Sequence, residues 1–397
     1  MRQSNAADPG NVQEAKLPRR DLIILPLLSL LTLAVCLLAA EAAARYFFVA
    51  QRDDSCSIDD SNIVFRYRAN CTTHGKAAEG PWVTHQFNDC GYRTKESCGP
   101  KPPGTTRIAL VGASVAEGYL VAYDETFAAR AARQLTLDLG RPIEIQNMGR
   151  EQCYAVCAFR RVDEALALKP DLILLAVNSS DFEKMDLSDV ANRFKPMQPV
   201  VDQIELRHKM DPRNPLNAVQ DFVGKSRAGI AALHFLFQNP ATYVRMYLIS
   251  GERSAYLRRS SSPAWEKRLD AYDLLLDEMA QKARDANVPI VLMEVPTVAQ
   301  ASLVSMSTMP PGLDPYTLDR RLAQITARHG IQFIDALDAF KQGPPANKLF
   351  YVVDGHLNSA GHGVVSSVLV AQLEKEQSAA LLGQNEAQRS AAPAHGR

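Results

Sequence analysis

A run of uncharged residues near the N-terminus constrains this chain more than any other feature. Residues 22–40 read LIILPLLSLLTLAVCLLAA and contain no charged side chain. In a helix that rises about 1.5 Å per residue, such a run nearly crosses a hydrocarbon layer about 30 Å thick. The sequence therefore predicts a transmembrane anchor over residues 21–45.

The charges on either side of this run indicate its orientation. Arg19 and Arg20 directly precede it, whereas Arg45 and Arg52 follow it among acidic residues. Because basic residues are enriched on the cytoplasmic side of a membrane span, we expect residues 1–20 to be a cytoplasmic tail. The chain would then be a single-pass inner (plasma) membrane protein with its bulk in the periplasm or another extracytoplasmic space. A cleaved signal peptide is the alternative, since AAEAAA offers small residues to a peptidase, and it also exports the rest.

The cysteines fit an exported protein. One of the seven lies in the apolar run, and the other six are Cys56, Cys71, Cys90, Cys98, Cys153 and Cys157. An even number in an oxidising compartment is typical of disulfides, although six cysteines allow many pairings. Their closeness in sequence favours the pairs Cys56–Cys71 and Cys90–Cys98. Zinc is the competing interpretation, but no C-x-x-C pair is present, and we expect neither a metal nor a cofactor.

Composition and punctuation divide the exported part. The formal net charge of the chain is +0, whereas nucleic-acid-binding proteins typically carry an excess of basic residues. Residues 46–103 form a lead-in region that contains cysteine and glycine, shows no clear period and closes with a Pro-Gly stretch. Residues 104–376 are expected to be the main domain. Residues 377–397 are rich in Ala, Gln and Ser, which predicts a loose, disordered tail.

Short apolar runs alternate with helical patterns through the main domain. The strands are predicted at residues 107–111, 143–147, 171–177, 289–295 and 331–335. Strands alternating with helices indicate a mainly parallel sheet covered on both faces, so the predicted fold class is α/β, a flavodoxin-like three-layer α/β/α sandwich. The stretch at about 182–262 is longer than one crossover needs and is predicted to be an insertion. Catalytic groups in such folds gather at the carboxyl ends of the strands.

Polar residues follow the first strand and stand near the C-terminus in a pattern typical of nucleophilic catalysis. Ser114 comes directly after the first strand, and Asp354 and His356 lie together in a late loop. A serine hydroxyl needs a base to remove its proton, and His356 can be that base. Asp354 can accept a hydrogen bond from the other ring nitrogen and fix the tautomer.

The second and third strands end in groups that could stabilise an oxyanion. Gly149 follows the second strand and offers a backbone N–H, while Asn178 and Ser180 follow the third. Asp181 and Glu183 come next, and a paired-carboxylate acid/base site is an alternative interpretation of this stretch.

Four short blocks follow one another along the chain: VGASVAEG, QNMGR, AVNSSD and DGHLNSAGH. They resemble the blocks of the SGNH (GDSL-like) hydrolase family in its membrane-anchored bacterial form. The resemblance covers residues 104–376 apart from the insertion. It implies that Ser114 is the nucleophile, His356 the general base, Asp354 its orienting partner and Gly149 an oxyanion donor.

The chain departs from the family pattern in three places. Ala113 replaces the Asp of Gly-Asp-Ser, and the spacing of Asp354 and His356 is one residue shorter than usual. In the third block, Asn178 matches by residue type and Ser180 by spacing. The third oxyanion donor is therefore Asn178 or Ser180.

The resemblance implies a serine esterase that acts through an acyl-enzyme and removes O-acyl, in particular acetyl, groups from an envelope or exported polysaccharide. Its expected partners are the membrane, through residues 21–45, and a carbohydrate ester, whereas protein partners stay open. One alternative is an O-acyltransferase that uses the same triad with a sugar hydroxyl in place of water. Another is a catalytically dead, polysaccharide-binding member of an export complex.

Overall fold

The computed structural model describes residue 18, residues 20–195 and residues 226–391, with side chains as far as residue 375. The expected cytoplasmic tail, residues 1–20, therefore lies almost wholly outside the described residues. Helix α1, Asp21–Phe47, contains the apolar run and is long and apolar enough to cross a membrane. It continues two residues past the predicted end of the anchor.

The lead-in region forms two small antiparallel sheets. Strand β1 (Ser57–Asp60) pairs with β2 (Val64–Tyr67), and β3 (Thr72–Lys76) pairs with β4 (Trp82–Gln86). Each strand has only four or five residues, and three of them bury no residue or only one. The sequence therefore shows no clear hydrophobic period here, because the alternation that marks a strand needs one consistently buried face.

The central sheet confirms the predicted fold class. Its strands are β5 (Thr106–Gly112), β6 (Ile143–Asn147), β7 (Leu172–Val177), β8 (Ile290–Glu294) and β9 (Gln332–Asp335). All neighbouring pairs are parallel, in the order β6-β5-β7-β8-β9, so every strand found by sequence is present within a residue of its expected ends. Four of the five are buried along their whole length, as apolar runs in a covered sheet should be.

Helices cover both faces of the sheet. Those of the main domain are α2 (Ser114–Glu117), α3 (Phe127–Leu139), α4 (Ala155–Ala167), α5 (Ser179–Glu183), α9 (Pro263–Asp285), α10 (Val298–Val304), α11 (Thr317–Arg328), α12 (Leu337–Gln342), α13 (Ala346–Leu349) and α14 (Ser359–Ala391). One core packs α4 and α9 against the sheet around Phe159, Trp265 and Tyr272. The opposite core packs α3 and α14 around Phe127 and Leu369. The sheet is therefore the middle layer of three.

Side-chain caps define the starts of two of these helices. The Ser262 side chain accepts from the N–H of Trp265 at the start of α9, and Asn358 accepts from the N–H groups of Ala360 and Gly361 at the start of α14. Each cap satisfies an N–H group that the helix itself leaves unpaired. Helix α14 continues as backbone to Ala391, although a loose tail was expected over residues 377–397; residues 392–397 lie outside the described part.

The predicted insertion contains short helices over one end of the sheet. Its described elements are α6 (Leu187–Ala191), α7 (Arg227–Leu236), α8 (Pro240–Leu248) and a 3₁₀ turn at Gly251–Leu257; residues 196–225 lie outside the described residues. Helix α7 packs against the C-terminal end of the anchor α1. The anchor and the main domain are thus in contact.

All six cysteines outside the apolar run form disulfides. Cys56 pairs with Cys71 and Cys90 with Cys98, as predicted, and Cys153 pairs with Cys157. Disulfides are typical of an oxidising, extracytoplasmic compartment. They also leave none of these thiolates available to zinc.

Candidate active site

Ser114, His356 and Asp354 lie in one hydrogen-bonded chain at the carboxyl edge of the sheet. Ser114 is the first residue of α2, directly after β5, and its Oγ lies 2.7 Å from His356 Nε2. The Nδ1 atom of the same ring lies 2.5 Å from Asp354 Oδ1. Ala113, and not Ser114, occupies the N-cap position of α2. The Ser114 hydroxyl is therefore engaged with the imidazole and does not cap the helix.

Gly355 explains how the short Asp-x-His spacing still brings the two side chains together. Its φ is +94°, a left-handed conformation that favours glycine. This turn allows the backbone N–H of His356 to bond the same Asp354 oxygen that contacts its ring, at 3.3 Å. The unusual spacing is thus compatible with the orienting contact.

The charges around these three residues favour an ion pair between the Asp354 carboxylate and a protonated His356. Burial lowers the pKa of His356, but the Asp354 carboxylate outweighs it, with further contributions from Glu151 and Glu117, so the pKa lies above 6.5. Burial raises the pKa of Asp354, yet the charge and hydrogen bonds of His356 bring it below its ordinary value. Asp354 is thus ionised at neutral pH and can stabilise an imidazolium at His356.

Gly149 lies directly against the nucleophile helix. A Cβ at this position would come within 2.3 Å of Glu117 N and 2.7 Å of Ala116 C, so only glycine fits here. Its N–H donates to the Asn147 side chain at 2.9 Å. Gly149 therefore lies against α2 with its N–H engaged by Asn147 Oδ1, a bond that an oxyanion would have to share or replace.

The third block forms a capping box. The Asn178 side chain accepts from the N–H of Ser180 at 2.8 Å, and Asp181 Oδ2 accepts from the N–H of Asn178 at 2.8 Å. With its oxygen occupied, Asn178 keeps its amide NH₂ as a donor, and among the described residues no acceptor is bonded to it. Asp181 is buried, which raises its pKa to about 7. Glu183 pairs with Arg253, so Asp181 and Glu183 serve as a cap and an ion pair here.

Residues of the lead-in region contact α2, the helix that begins at Ser114. Glu117, the last residue of α2, is fully buried and accepts from Tyr67 Oη at 3.1 Å and contacts His85 Nδ1 at 3.2 Å. The buried guanidinium of Arg93 donates to the carbonyls of Glu117, Gly118 and Val121. Burial raises the pKa of Glu117, but His85 and Arg93 outweigh it and keep the pKa below its ordinary value. Sequence reasoning missed these contacts, since nothing local links them to Ser114.

A second buried carboxylate stands next to the histidine. Glu151 pairs with Arg52 at 2.6 Å, and burial together with the Glu117 charge raises its pKa to about 7. The ring of Tyr119 lies 5.7 Å from that of His356. Arg52 follows the anchor in sequence by only a few residues, so the juxtamembrane segment reaches the site.

The loop that carries Asp354 is held by Glu79. One oxygen of Glu79 accepts from the N–H groups of Val353 and Asp354, each at 2.8 Å, and the other lies 2.7 Å from His234 Nδ1 on α7. Asp354 is thus fixed through its backbone as well as through His356. No sequence signal marks Glu79, because its partners lie more than 150 positions away.

Two clusters offer the side chains that metals prefer. Glu294, Asp319 and Asp335 gather at the ends of β8 and β9, where Gln300 Nε2 donates to Glu294 and Asp319. Burial raises the pKa of each, and nearby carboxylates raise it further, among them Asp338 outside the cluster, which favours protonated carboxyl groups here. The other cluster pairs Asp89 with two cysteines that are already a disulfide. Neither cluster includes Ser114, His356 or Asp354.

No protein-family model and no curated protein matches this chain. Its fold is similar to several solved structures. A lipase/acylhydrolase from Enterococcus faecalis has 12% identity and a TM-score of 0.37, with 68% of this chain and 96% of that chain covered.

Two other solved structures give similar values. The esterase EstA from Pseudoalteromonas has 13% identity and a TM-score of 0.36, covering 69% of this chain and 99% of that one. A catalytic mutant of the acetylxylan esterase Axe2 from Geobacillus stearothermophilus has 15% identity and a TM-score of 0.36, covering 67% and 93%. At these identities the similarity concerns the fold.

Proposed function

We propose that this chain is a serine esterase of the SGNH type, with Ser114 as nucleophile, His356 as general base and Asp354 as its orienting residue. The observation that carries the proposal is the continuous chain from Ser114 Oγ through both nitrogens of His356 to Asp354. A hydroxyl bonded to an imidazole whose far side faces a carboxylate is the arrangement that activates serine.

The reaction then runs in two halves. As Ser114 Oγ attacks the ester carbonyl, its proton passes to His356 Nε2, and the carbonyl oxygen becomes an oxyanion. The intermediate collapses when the C–O bond to the alcohol breaks and His356 returns the proton to that alcohol. Water attacks the acyl-Ser114 ester by the same route, which releases the acid and restores the enzyme.

The oxyanion requires preorganised donors, each worth about 3 kcal/mol of barrier. Candidates are the Ser114 N–H, the Gly149 N–H and the Asn178 amide. Of the two third-block residues, Asn178 is the better donor, because its NH₂ is unbonded among the described residues while its oxygen orders the loop. Ser180 remains the alternative by spacing.

For the substrate we propose an O-acyl group, such as acetyl, on an envelope or exported polysaccharide. The support is the proposed location: a single-pass inner-membrane protein with an N-terminal cytoplasmic tail, an anchor at 21–45 and a disulfide-bonded domain outside. The boundaries proposed for that exported part are a lead-in region at 46–103 and a hydrolase domain at 104–376. A C-terminal reporter that is active only outside the cytoplasm should be on, and a signal from a cytoplasm-only reporter would contradict this topology.

The test of the enzymatic proposal is covalent labelling of the full-length protein with a fluorophosphonate probe. Wild type should label at Ser114, Ser114→Ala should not, and an alkyl acetate substrate should protect the wild type from labelling. A folded wild type that takes no label would instead indicate a catalytically dead binding protein. Product analysis with and without an acceptor sugar separates hydrolysis from acyl transfer.

A further inference from the structure

A cavity of about 410 Å³ opens beside the loop that carries Asp354. Its walls come from the juxtamembrane segment 50–52, the hairpin residues 76–79, the start of α7, and the loop residues 353–354, with Tyr119 on one side. Ligand sites in proteins have volumes of a few hundred cubic ångströms. Since Asp354 lines the cavity and also bonds His356, a ligand held here lies next to the Ser114 site.

The charge available in this cavity is positive. Arg52, Lys76 and Arg227 line it, opposite the carboxylates of Glu79 and Asp354. The Glu79 side chain is only 2% exposed and is bound on both oxygens. The Asp354 carboxylate is bound to His356. Both negative charges are therefore already engaged within the protein.

Arg227 is the lining cation whose side chain has no partner among the described residues. Arg52 pairs with Glu151, and Lys76 Nζ donates to the Gly80 carbonyl. Arg227 as a residue is half-buried, and no hydrogen bond or ion pair ties its guanidinium to any described residue. A half-buried guanidinium in a cavity is suited to a phosphate, whose oxygens match its planar fork of donors.

Arg227 also lies beside the residue that follows the apolar run. Glu41 directly follows the apolar run, and its carboxylate accepts from Ser226 Oγ at 2.7 Å and from the N–H groups of Arg227 and Ala228 at 3.2 and 2.9 Å. Further along, the rings of Phe48 and His234 are 5.8 Å apart, so α7 runs beside the last turns of the anchor. With α1 spanning the membrane as proposed above, the Arg227 side of the cavity lies at the depth of lipid phosphates.

We propose that this cavity binds the phosphate of an amphiphile embedded in the same bilayer as the anchor, and that the ester reaches Ser114 on the head group of that amphiphile. The lipid source of the phosphate rests on the proposed membrane topology and the ester on the proposed esterase function, whereas the binding of a phosphate at Arg227 rests on neither. The phosphate could belong to a lipid or be a free inorganic anion. The depth of Arg227 beside the end of the anchor favours the lipid, because a soluble anion would have no need of a site fixed there.

The test uses full-length protein in a neutral maltoside detergent. Dodecyl phosphate below its critical micelle concentration is titrated by calorimetry, alongside inorganic phosphate and neutral dodecyl glucoside, and each is tried as an inhibitor of aryl acetate turnover. Dodecyl phosphate should bind at least tenfold more tightly than either of the others. Equal binding of inorganic phosphate would overturn the lipid source, and equal binding of dodecyl glucoside would overturn the phosphate site.

Variants make the assignment specific to Arg227. Arg227→Gln should weaken dodecyl phosphate binding at least fivefold, and Arg227→Lys should weaken it less. The control is Arg245→Gln, which removes an exposed cation from the neighbouring helix α8, outside the cavity lining, and should bind as wild type does. Unchanged binding in folded Arg227→Gln would refute the proposal. If aryl acetates are not turned over at all, the esterase function fails, while calorimetry still decides the phosphate site.

Discussion

The carboxylate of Glu79 lies 2.8 Å from the backbone nitrogen of Asp354 and so holds the loop that carries the proposed catalytic acid. The two residues are 275 positions apart. Glu79 lies in the lead-in region, and Asp354 lies in the block DGHLNSAGH. Because His234 of α7 contacts the other Glu79 oxygen, the loop is tied to the helix that packs on the anchor. Glu79 acts on the reaction only through Asp354, which makes it a positioning residue.

Glu79→Gln should slow catalysis even though residue 79 does not contact the substrate. The amide can accept from only one side and cannot pair with His234 as a carboxylate does, so about 2 kcal/mol of loop support is lost. We expect kcat for an aryl acetate to fall by about tenfold. The acidic limb of the pH profile should also move to lower pH, because Asp354 is held less firmly against His356.

The matched control is Asp59→Asn, which removes an exposed carboxylate from the same region. It should keep both the kcat and the pH profile of wild type. A folded Glu79→Gln enzyme with an unchanged pH profile would show that Glu79 supports the fold and not the orientation of Asp354.

Ser114→Ala and His356→Ala should each remove nearly all aryl acetate turnover. The double variant should be little slower than either single one, because residues that act as a unit do not contribute additively. Ser367→Ala, which changes an exposed serine on α14, should retain wild-type turnover and serves as control. Circular dichroism of each variant separates lost chemistry from lost structure; wild-type turnover by folded Ser114→Ala would end the esterase proposal.

The rate should depend on the neutral form of His356. Protonated His356 cannot accept the Ser114 proton, so turnover rises with pH as the ring loses its proton. Since the Asp354 carboxylate holds the pKa of His356 above 6.5, the midpoint of this limb in kcat/KM should lie above pH 6.5. Asp354→Asn removes that charge, so its midpoint should fall below that of wild type, at a reduced maximal rate. A midpoint that stays in place would mean that another group controls the limb.

Gly149→Ala should displace the nucleophile helix. The added Cβ would meet backbone atoms of Ala116 and Glu117 that cannot give way as a flexible side chain would. Overpacking of this kind costs about 1–3 kcal/mol, so both the melting temperature and kcat should drop. Gly75→Ala, whose Cβ would have an ordinary contact at 3.5 Å, is the control, and equal behaviour of the two variants would contradict the close packing.

The disulfide between Cys56 and Cys71 should matter for the site as well as for stability. It closes a loop of 15 residues that includes Tyr67, the donor to Glu117. Replacing both cysteines with serine should lower the free energy of unfolding by about 3 kcal/mol, as measured by urea titration. Cys36→Ser changes the free cysteine of the anchor and should have no such effect.

Local signals explain what the sequence could predict. The five buried strands are continuous apolar runs, and Ser114, Asp354 and His356 stand in short blocks whose order is typical of one family. The two hairpins of the lead-in region were not predicted, since their strands lack a consistently buried face. Glu79, Arg93 and Glu151 were missed for a different reason: each acts through contacts between segments far apart in the chain, and no spacing within one segment records such a contact.

Glu41 belongs to helix α1. Its carboxylate nevertheless accepts hydrogen bonds from the first residues of α7, a helix of the main domain. A protease that cut the chain just after Glu41 would separate α7 from the acceptor for its first N–H groups. Through His234 and Glu79, that loss would reach the loop of Asp354. With α1 as the proposed membrane anchor, we therefore expect esterase activity to require the uncut chain, and release of the domain from α1 to lower it.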